Sequence, residues 1–156
     1  MKVAVGGTFD PLHDGHEQLL GRALELGDDG VTIGLTSDEL APQTRDEARD
    51  IRSYDERREA LRDFVEAVDE WGRDVAIRKL DDPYGVASED PAFDALVVSP
   101  ETAPGGDRIN ELREERGYDP LEIEVVPHVM ADDGEPISST RIVRGEIDAH
   151  GHVVEE

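Results

Sequence analysis

The sequence predicts an α/β fold, a doubly wound parallel sheet of about five strands, and three observations carry that expectation. Short apolar runs rich in Val, Ile and Leu alternate along the chain with stretches of helical periodicity. The runs are short and β-rich and look covered on both faces, which is how parallel sheets are built. The first run closes on glycine and leads directly into a helical stretch, the βα turn at which such sheets bind ligands.

Lys2 to Gly6 (KVAVG) reads as the first buried strand. From His13 to Leu26 the residues Leu19, Leu20, Ala23, Leu24 and Leu26 recur at helical spacing, and Gly27 ends the helix. Val31 to Leu35 is the second strand. Tyr54 to Trp71 carries Leu61, Phe64, Val65 and Val68 on one face and reads as a long helix stopped at Gly72, with Phe64 and Trp71 expected in the core. Val75 to Leu80, Ala95 to Ser99 and Leu121 to Val126 supply the remaining strands. Gly105 to Arg116 is helical between the last two, and Ser138 to Val143 opens a short final helix. One domain over residues 1–148 accounts for all of these, with 149–156 as a flexible C-terminal tail in which His150 and His152 are solvated.

The 156 residues suffice for one well-buried core. No window approaches the ~18 apolar residues of a membrane helix, and the N-terminus has no signal-peptide pattern, so a cytoplasmic protein is expected. The absence of cysteine excludes disulfides, thiolate zinc sites and a thiol nucleophile. Asp and Glu total 39 against 16 Lys and Arg, a net charge of -23, and Lys2 and Lys79 are the only lysines. The acids sit between apolar positions, as in DFVEAVDE, so the chain reads as a folded, salt-adapted protein. No basic stripe is present to neutralise nucleic-acid phosphates, and an acidic shell disfavours self-association, which favours a monomer.

The informative stretch is GGTFDPLHDGH, Gly6 to His16. The glycines admit a sharp turn and close approach to main-chain N–H groups. Thr8 adds a hydroxyl. His13 and His16, three residues apart, share the first turn of the helix, where unpaired N–H groups and the dipole favour an anion, and Gly15 keeps that face open. The sum is a phosphate cradle with two imidazoles. Capping histidines are the plain alternative, as is zinc held with Asp10 and Asp14, although a third fixed ligand is missing. A second anion-binding helix start is ISSTR, Ile137 to Arg141, which would otherwise be an ordinary N-cap.

Gly7-Thr8-Phe9-Asp10, His13-x-Gly15-His16 and ISSTR together resemble the signature of the H-x-G-H nucleotidyltransferase superfamily, which implies a Rossmann-like sheet of nucleotidyltransferase type. Through VAVGGTFDPLHDGH, GLTSDELA, YDERR, ALVVSPET, INELR and ISSTRI the chain is similar to phosphopantetheine adenylyltransferases of the archaeal type. That resemblance implies transfer of the adenylyl group of ATP to 4′-phosphopantetheine, giving dephospho-coenzyme A and pyrophosphate, with Mg2+ held by the ATP phosphates and no protein metal site. Where the bacterial enzymes carry a lysine after the second strand and an arginine after the fourth, this chain has no lysine and Ser99-Pro100-Glu101. Nicotinamide mononucleotide, FMN, or a phosphate ester served by CTP stand as alternative acceptors.

The acceptor phosphate has a second pKa of about 6 and is already dianionic at neutral pH, so the reaction requires no general base. His16 and Thr8 are expected at the α-phosphate. Gly7, Phe9, Asp10, His13, Ser138, Ser139, Thr140 and Arg141 complete the ATP site, His13 with the hydroxyl run and Arg141 taking the outer phosphates. Arg45, Arg49 and Arg52 precede the long helix, and Arg49 or Arg52 is the candidate for the acceptor phosphate, the neighbouring arginines being surface residues paired with acids. Thr36 and Ser37, Ser99 and Glu101 stand at strand ends and are candidates for the same pocket, the last two being equally accounted for by a turn and a cap.

The charge generates a first prediction. At ~1 M salt the Debye length is about 3 Å, and dilution removes this screening of the acidic surface. Helical circular dichroism should fall below ~0.5 M KCl, whereas a full helical signal in dilute buffer would contradict salt adaptation.

Overall fold

The computed structural model describes residues 1–9, 12–38, 52–81, 85–100, 103–137, 141–142 and 145–153. Strands β1 (Val3–Gly7), β2 (Val31–Thr36), β3 (Val75–Leu80), β4 (Ala95–Val98) and β5 (Glu122–Val125) alternate with helices α1 (Asp14–Leu26), α2 (Tyr54–Val68), α3 (Gly85–Glu89) and α4 (Ala103–Glu115). The sheet order is β3-β2-β1-β4-β5, and every pairing is parallel. The doubly wound α/β expectation therefore holds. The order reverses at β1, which pairs with β2 through to Gly7 but with β4 only at Val3 and Ala4, and the carboxyl ends at such a switch point are where these sheets bind ligands.

Burial separates the strands as their positions require. All six residues of β2 and all four of β4 are buried, while the edge strands carry Arg78, Lys79, Glu122 and Glu124, charges that block pairing with another sheet. Alternation divides the core into two layers. Val3, Val5, Ile33, Leu35 and Val97 face α1 and α2, which contribute Leu20, Ala23, Leu24, Leu61 and Val65. Ala4, Leu96 and Val98 point the other way, against Ala87 of α3, Phe93 and Ile109 of α4.

Each helix buries one row. Leu20, Ala23 and Leu24 form it in α1. In α2 the row is Arg57, Leu61 and Val65, and in α4 it is Gly106, Ile109 and Arg113, so two arginines occupy seats that helical spacing assigns to apolar groups. Arg113 is satisfied by main-chain carbonyls, donating to those of Ala87, Asp90 and Asp119 at 2.8 Å each. It thereby fastens α3 and its following turn to α4. Helix α3 has only five residues, too few for a periodic signal, and the sequence did not reveal it.

Two expectations are corrected. Helix α2 ends at Val68 because the Asp69 carboxylate captures the N–H groups of Trp71, Gly72 and Arg73, diverting the chain before another turn can form. Trp71 is consequently 42% exposed rather than in the core, with Arg73 over its ring; Phe64 does pack partly buried against the core. The other difference lies near the C-terminus. Residues 149–153 rest against the body: Asp14 N–H donates to Ala149 O, Ile147 bridges Val153, and Gly151 sits at φ 81° against Ile137 and Ala131. Only glycine fits that position without strain. A small third cluster of Ala131, Ile137 and Ile147 accompanies this packing, which brings Ala149 to the start of α1. Among the described residues no helix is long and apolar enough to cross a membrane.

The turn from α1 into β2 has no spare room. A Cβ on Gly27 would lie 2.4 Å from a Val31 methyl and 2.9 Å from the Ala23 carbonyl oxygen. Gly27→Ala should therefore lower stability by about 1–3 kcal/mol, as overpacking does, read as a drop in the urea midpoint with an unchanged slope.

Candidate active site

The loop after β1 is shaped by one aromatic ring. Phe9 is buried and holds φ 52°, the left-handed region that a bulky residue avoids. A Cβ on Gly7 would lie 3.2 Å from that ring, so the glycine is there to admit Phe9. Phe9 in turn packs on His16, with ring centroids 5.1 Å apart.

His13 is the N-cap of α1. Its Nδ1 accepts from Gly15 N–H at 3.0 Å, and the Nδ1 of His16 accepts from His13 N–H at 3.2 Å. Two imidazoles thus make the reciprocal bonds that a Ser and a Glu make in a capping box. The capping and ligand readings are compatible, because capping uses only Nδ1. A ring whose Nδ1 accepts carries its hydrogen on Nε2, so each histidine keeps an Nε2–H donor. The rings stack at 3.9 Å, and a Cβ on Gly15 would fall 2.7 Å from the His13 ring, so that glycine makes room for the imidazole rather than for a ligand.

Both rings are held neutral. Burial pushes His13 down to about 4, against the opposing pull of Asp14. Burial also pushes His16 well below its ordinary value, and the adjacent His13 pushes it further. At neutral pH the pair offers hydrogen bonds without positive charge.

Charge is supplied from behind. Thr8 Oγ1 and Thr36 Oγ1 are 2.9 Å apart, joining the ends of β1 and β2. Beneath them Arg57 is fully buried. Its Nη1 donates to Thr8 O at 3.4 Å and to Thr36 Oγ1 at 3.2 Å, its Nε to Arg52 O at 2.9 Å, and its Nη2 pairs with the exposed carboxylate of Asp38 at 3.2 Å. The expectation of Arg57 as a surface arginine is therefore corrected; the available signal was its place at i−4 to Leu61 and i−8 to Val65, an arginine at the head of their buried row.

Of the expected residues, Gly7, Thr8, Phe9, His13, His16 and Thr36 gather at the carboxyl ends of β1 and β2. Ser37 is buried next to them, its N–H bonded to Leu80 O. Ser99 stands at the end of β4, and its carbonyl accepts from Ala103 N–H to open α4. Arg52 is exposed and enters the network through its carbonyl. Arg141 is bonded to Pro136 O and pairs with Asp133 and Glu146. Asp10, Arg45, Arg49, Glu101, Ser138, Ser139 and Thr140 lie outside the described residues. His150, expected in solvent, is exposed yet hydrogen-bonded to Asp14 at 2.9 Å, which raises its pKa, and His152 pairs with Asp132. A separate groove of about 620 Å3 along the outer side of α1 is lined by Asp14, Glu17, Glu25, Glu70 and Glu124 against Arg22, a carboxylate wall unsuited to polyphosphate.

The model of the cytidylyltransferase-like family matches residues 4–145. Relatives carrying the name phosphopantetheine adenylyltransferase include those of Methanosarcina acetivorans, 48% identical over 99% of this chain and 97% of the relative, and Methanopyrus kandleri, 51% identical over 94% and 90%. Among solved structures, a protein of unknown function from Archaeoglobus fulgidus superposes with a TM-score of 0.71 at 40% identity, covering 81% of this chain and 89% of that one.

The neutral histidine pair makes stability pH-dependent. The unfolded chain binds a proton at His13 near pH 6.5 and the folded chain only near 4, so acidification through that window favours unfolding, on the order of 3 kcal/mol from this group. His13→Asn keeps a neutral N-cap acceptor. Its urea midpoint should fall less than that of the parent between pH 6.5 and 4, and parallel curves would refute the assignment.

Proposed function

Since the chain belongs to the cytidylyltransferase-like family, we propose that it transfers the adenylyl group of ATP to 4′-phosphopantetheine, releasing pyrophosphate and forming dephospho-coenzyme A. The observation that carries the chemistry is the stacked pair of neutral imidazoles that caps α1, in the loop after the strand at which the sheet order reverses. The acceptor follows from the near full-length similarity to relatives bearing that enzyme's name.

The acceptor phosphate oxygen bonds to the α-phosphorus of ATP as the bond to the β-phosphate oxygen breaks, and the pyrophosphate carries away the electron pair. The nucleophile has no proton to lose, so the site requires donors rather than a base. Neutral imidazoles suit this. An imidazolium would hand its proton to a phosphate dianion of similar pKa and weaken the nucleophile, whereas an Nε2–H donates without transferring.

In this reading His16 and Thr8 bind the α-phosphate oxygens, where charge rises in the transition state. His13, Ser138, Ser139, Thr140 and Arg141 hold the β and γ phosphates, and main-chain groups of Gly7, Phe9 and Asp10 line the cradle. Thr36, Arg49, Arg52, Ser99 and Glu101 surround the acceptor. The cradle's N–H and hydroxyl donors suit phosphate oxygens, and Mg2+ enters this reading as an ion carried by the ATP phosphates, where it would neutralise their charge. The acidic surface is consistent with a monomer working in a salt-rich cytoplasm.

Pyrophosphate release, measured at about 2 M KCl with ATP, Mg2+ and 4′-phosphopantetheine, should fall by about 10²- to 10³-fold in kcat on His16→Ala. Turnover with nicotinamide mononucleotide in place of phosphopantetheine would keep the cradle and overturn the acceptor.

A further inference from the structure

Arg57 is expensive to bury, and the four hydrogen bonds it donates go to four separate pieces of the site wall. It donates to the carbonyl of Thr8 in the β1–α1 loop, to the hydroxyl of Thr36 at the end of β2, to the carbonyl of Arg52 before α2, and to Asp38. Asp38 also accepts from Tyr54 N–H at 2.8 Å, which seats the first residue of α2. Removing a guanidinium from water costs several kcal/mol, and a helix–sheet contact of this kind is ordinarily filled by an apolar side chain at no such cost. Core packing alone does not account for an arginine here.

The geometry of the donors suggests what does. A guanidinium has no acceptor, so Thr36 Oγ1 must accept from Nη1. A hydroxyl that accepts from a cation is a better donor, and among the described residues Thr8 Oγ1, 2.9 Å away, stands to accept its hydrogen. Nη1 simultaneously holds the carbonyl of Thr8, so the same nitrogen governs the position of the residue and the direction of its hydroxyl bond. We propose that Arg57 is a positioning residue for adenylyl transfer, acting through Thr36 to orient Thr8 as a donor toward the α-phosphate and to place a fixed positive charge behind it. The chain's two site histidines are neutral, so this guanidinium is the described positive charge nearest to Thr8 in the hydrogen-bonded network. The inference rests on the adenylyl-transfer reading of the site.

Two variants separate positioning from packing. Thr36→Val keeps the shape and leaves the other three Arg57 contacts, the one to the Thr8 carbonyl included, while breaking the hydroxyl route to the Thr8 hydroxyl. Arg57→Lys keeps the charge and loses the fork. With ATP and phosphopantetheine at saturation, each should lower kcat by about tenfold or more and change the KM for ATP by less than about threefold. The double variant should be no slower than the slower single one, since both cut the same chain. Urea unfolding is followed alongside. A kcat within about twofold of the parent for Thr36→Val, or a double variant whose losses multiply, would overturn the relay, and a lower urea midpoint with unchanged kcat would make Arg57 structural. Should Arg57→Lys not fold, Thr36→Val decides alone. Failure of the parent to use phosphopantetheine would count against the function reading instead, and the same comparison run with the acceptor it does use would still test Arg57.

Discussion

The site depends on how the first turn of α1 satisfies its main-chain N–H groups. Helix starts leave such groups without partners, and this one uses two imidazoles. Several features then follow together. Once each Nδ1 accepts a main-chain hydrogen, the tautomer and ring orientation are set. The stacked rings exclude water from each other, which keeps them neutral. Gly15 must lack a side chain, and Phe9 must tuck under His16 at a φ it would not otherwise adopt. The strain and the glycines belong to one arrangement that leaves two N–H donors side by side.

Electrostatics divides between outside and inside. Outside, a net charge of -23 surrounds the domain, and the groove along α1 is walled by carboxylates. Inside, the carboxyl ends of β1 and β2 carry neutral donors with a buried guanidinium behind Thr8 and Thr36. A polyanion is repelled by most of this surface, so the places where it is welcome are few and well bounded. Arg113 shows that burial of arginine in this chain has a purely structural use as well, since its bonds go to carbonyls that tie α3 to α4. Arg57 differs in that one of its partners is a side chain in contact with Thr8.

Most of the fold was legible because its determinants are local. Five apolar runs and the spacing of Leu20, Ala23, Leu24, Leu61 and Val65 announce strands and helices wherever they fall in space. The limits of α2 were not, since Asp69 ends it through three main-chain bonds that no periodicity encodes. With the end of the helix went the position of Trp71.

By itself the sequence determined the alternation of strands and helices, the glycine-threonine-histidine loop and its chemistry as a phosphate cradle, because each is a matter of residue type at short spacing. Only the tertiary structure decided that His13 and His16 are neutral, that Thr8 meets Thr36, and that Arg57 rather than Arg52 lies buried behind them. Protonation state depends on desolvation by neighbours distant in sequence, and a hydrogen bond across 28 residues exists only once β1 and β2 lie side by side. The burial of an arginine is likewise settled by which helix face meets the sheet, where enough acceptors wait to replace the water it loses.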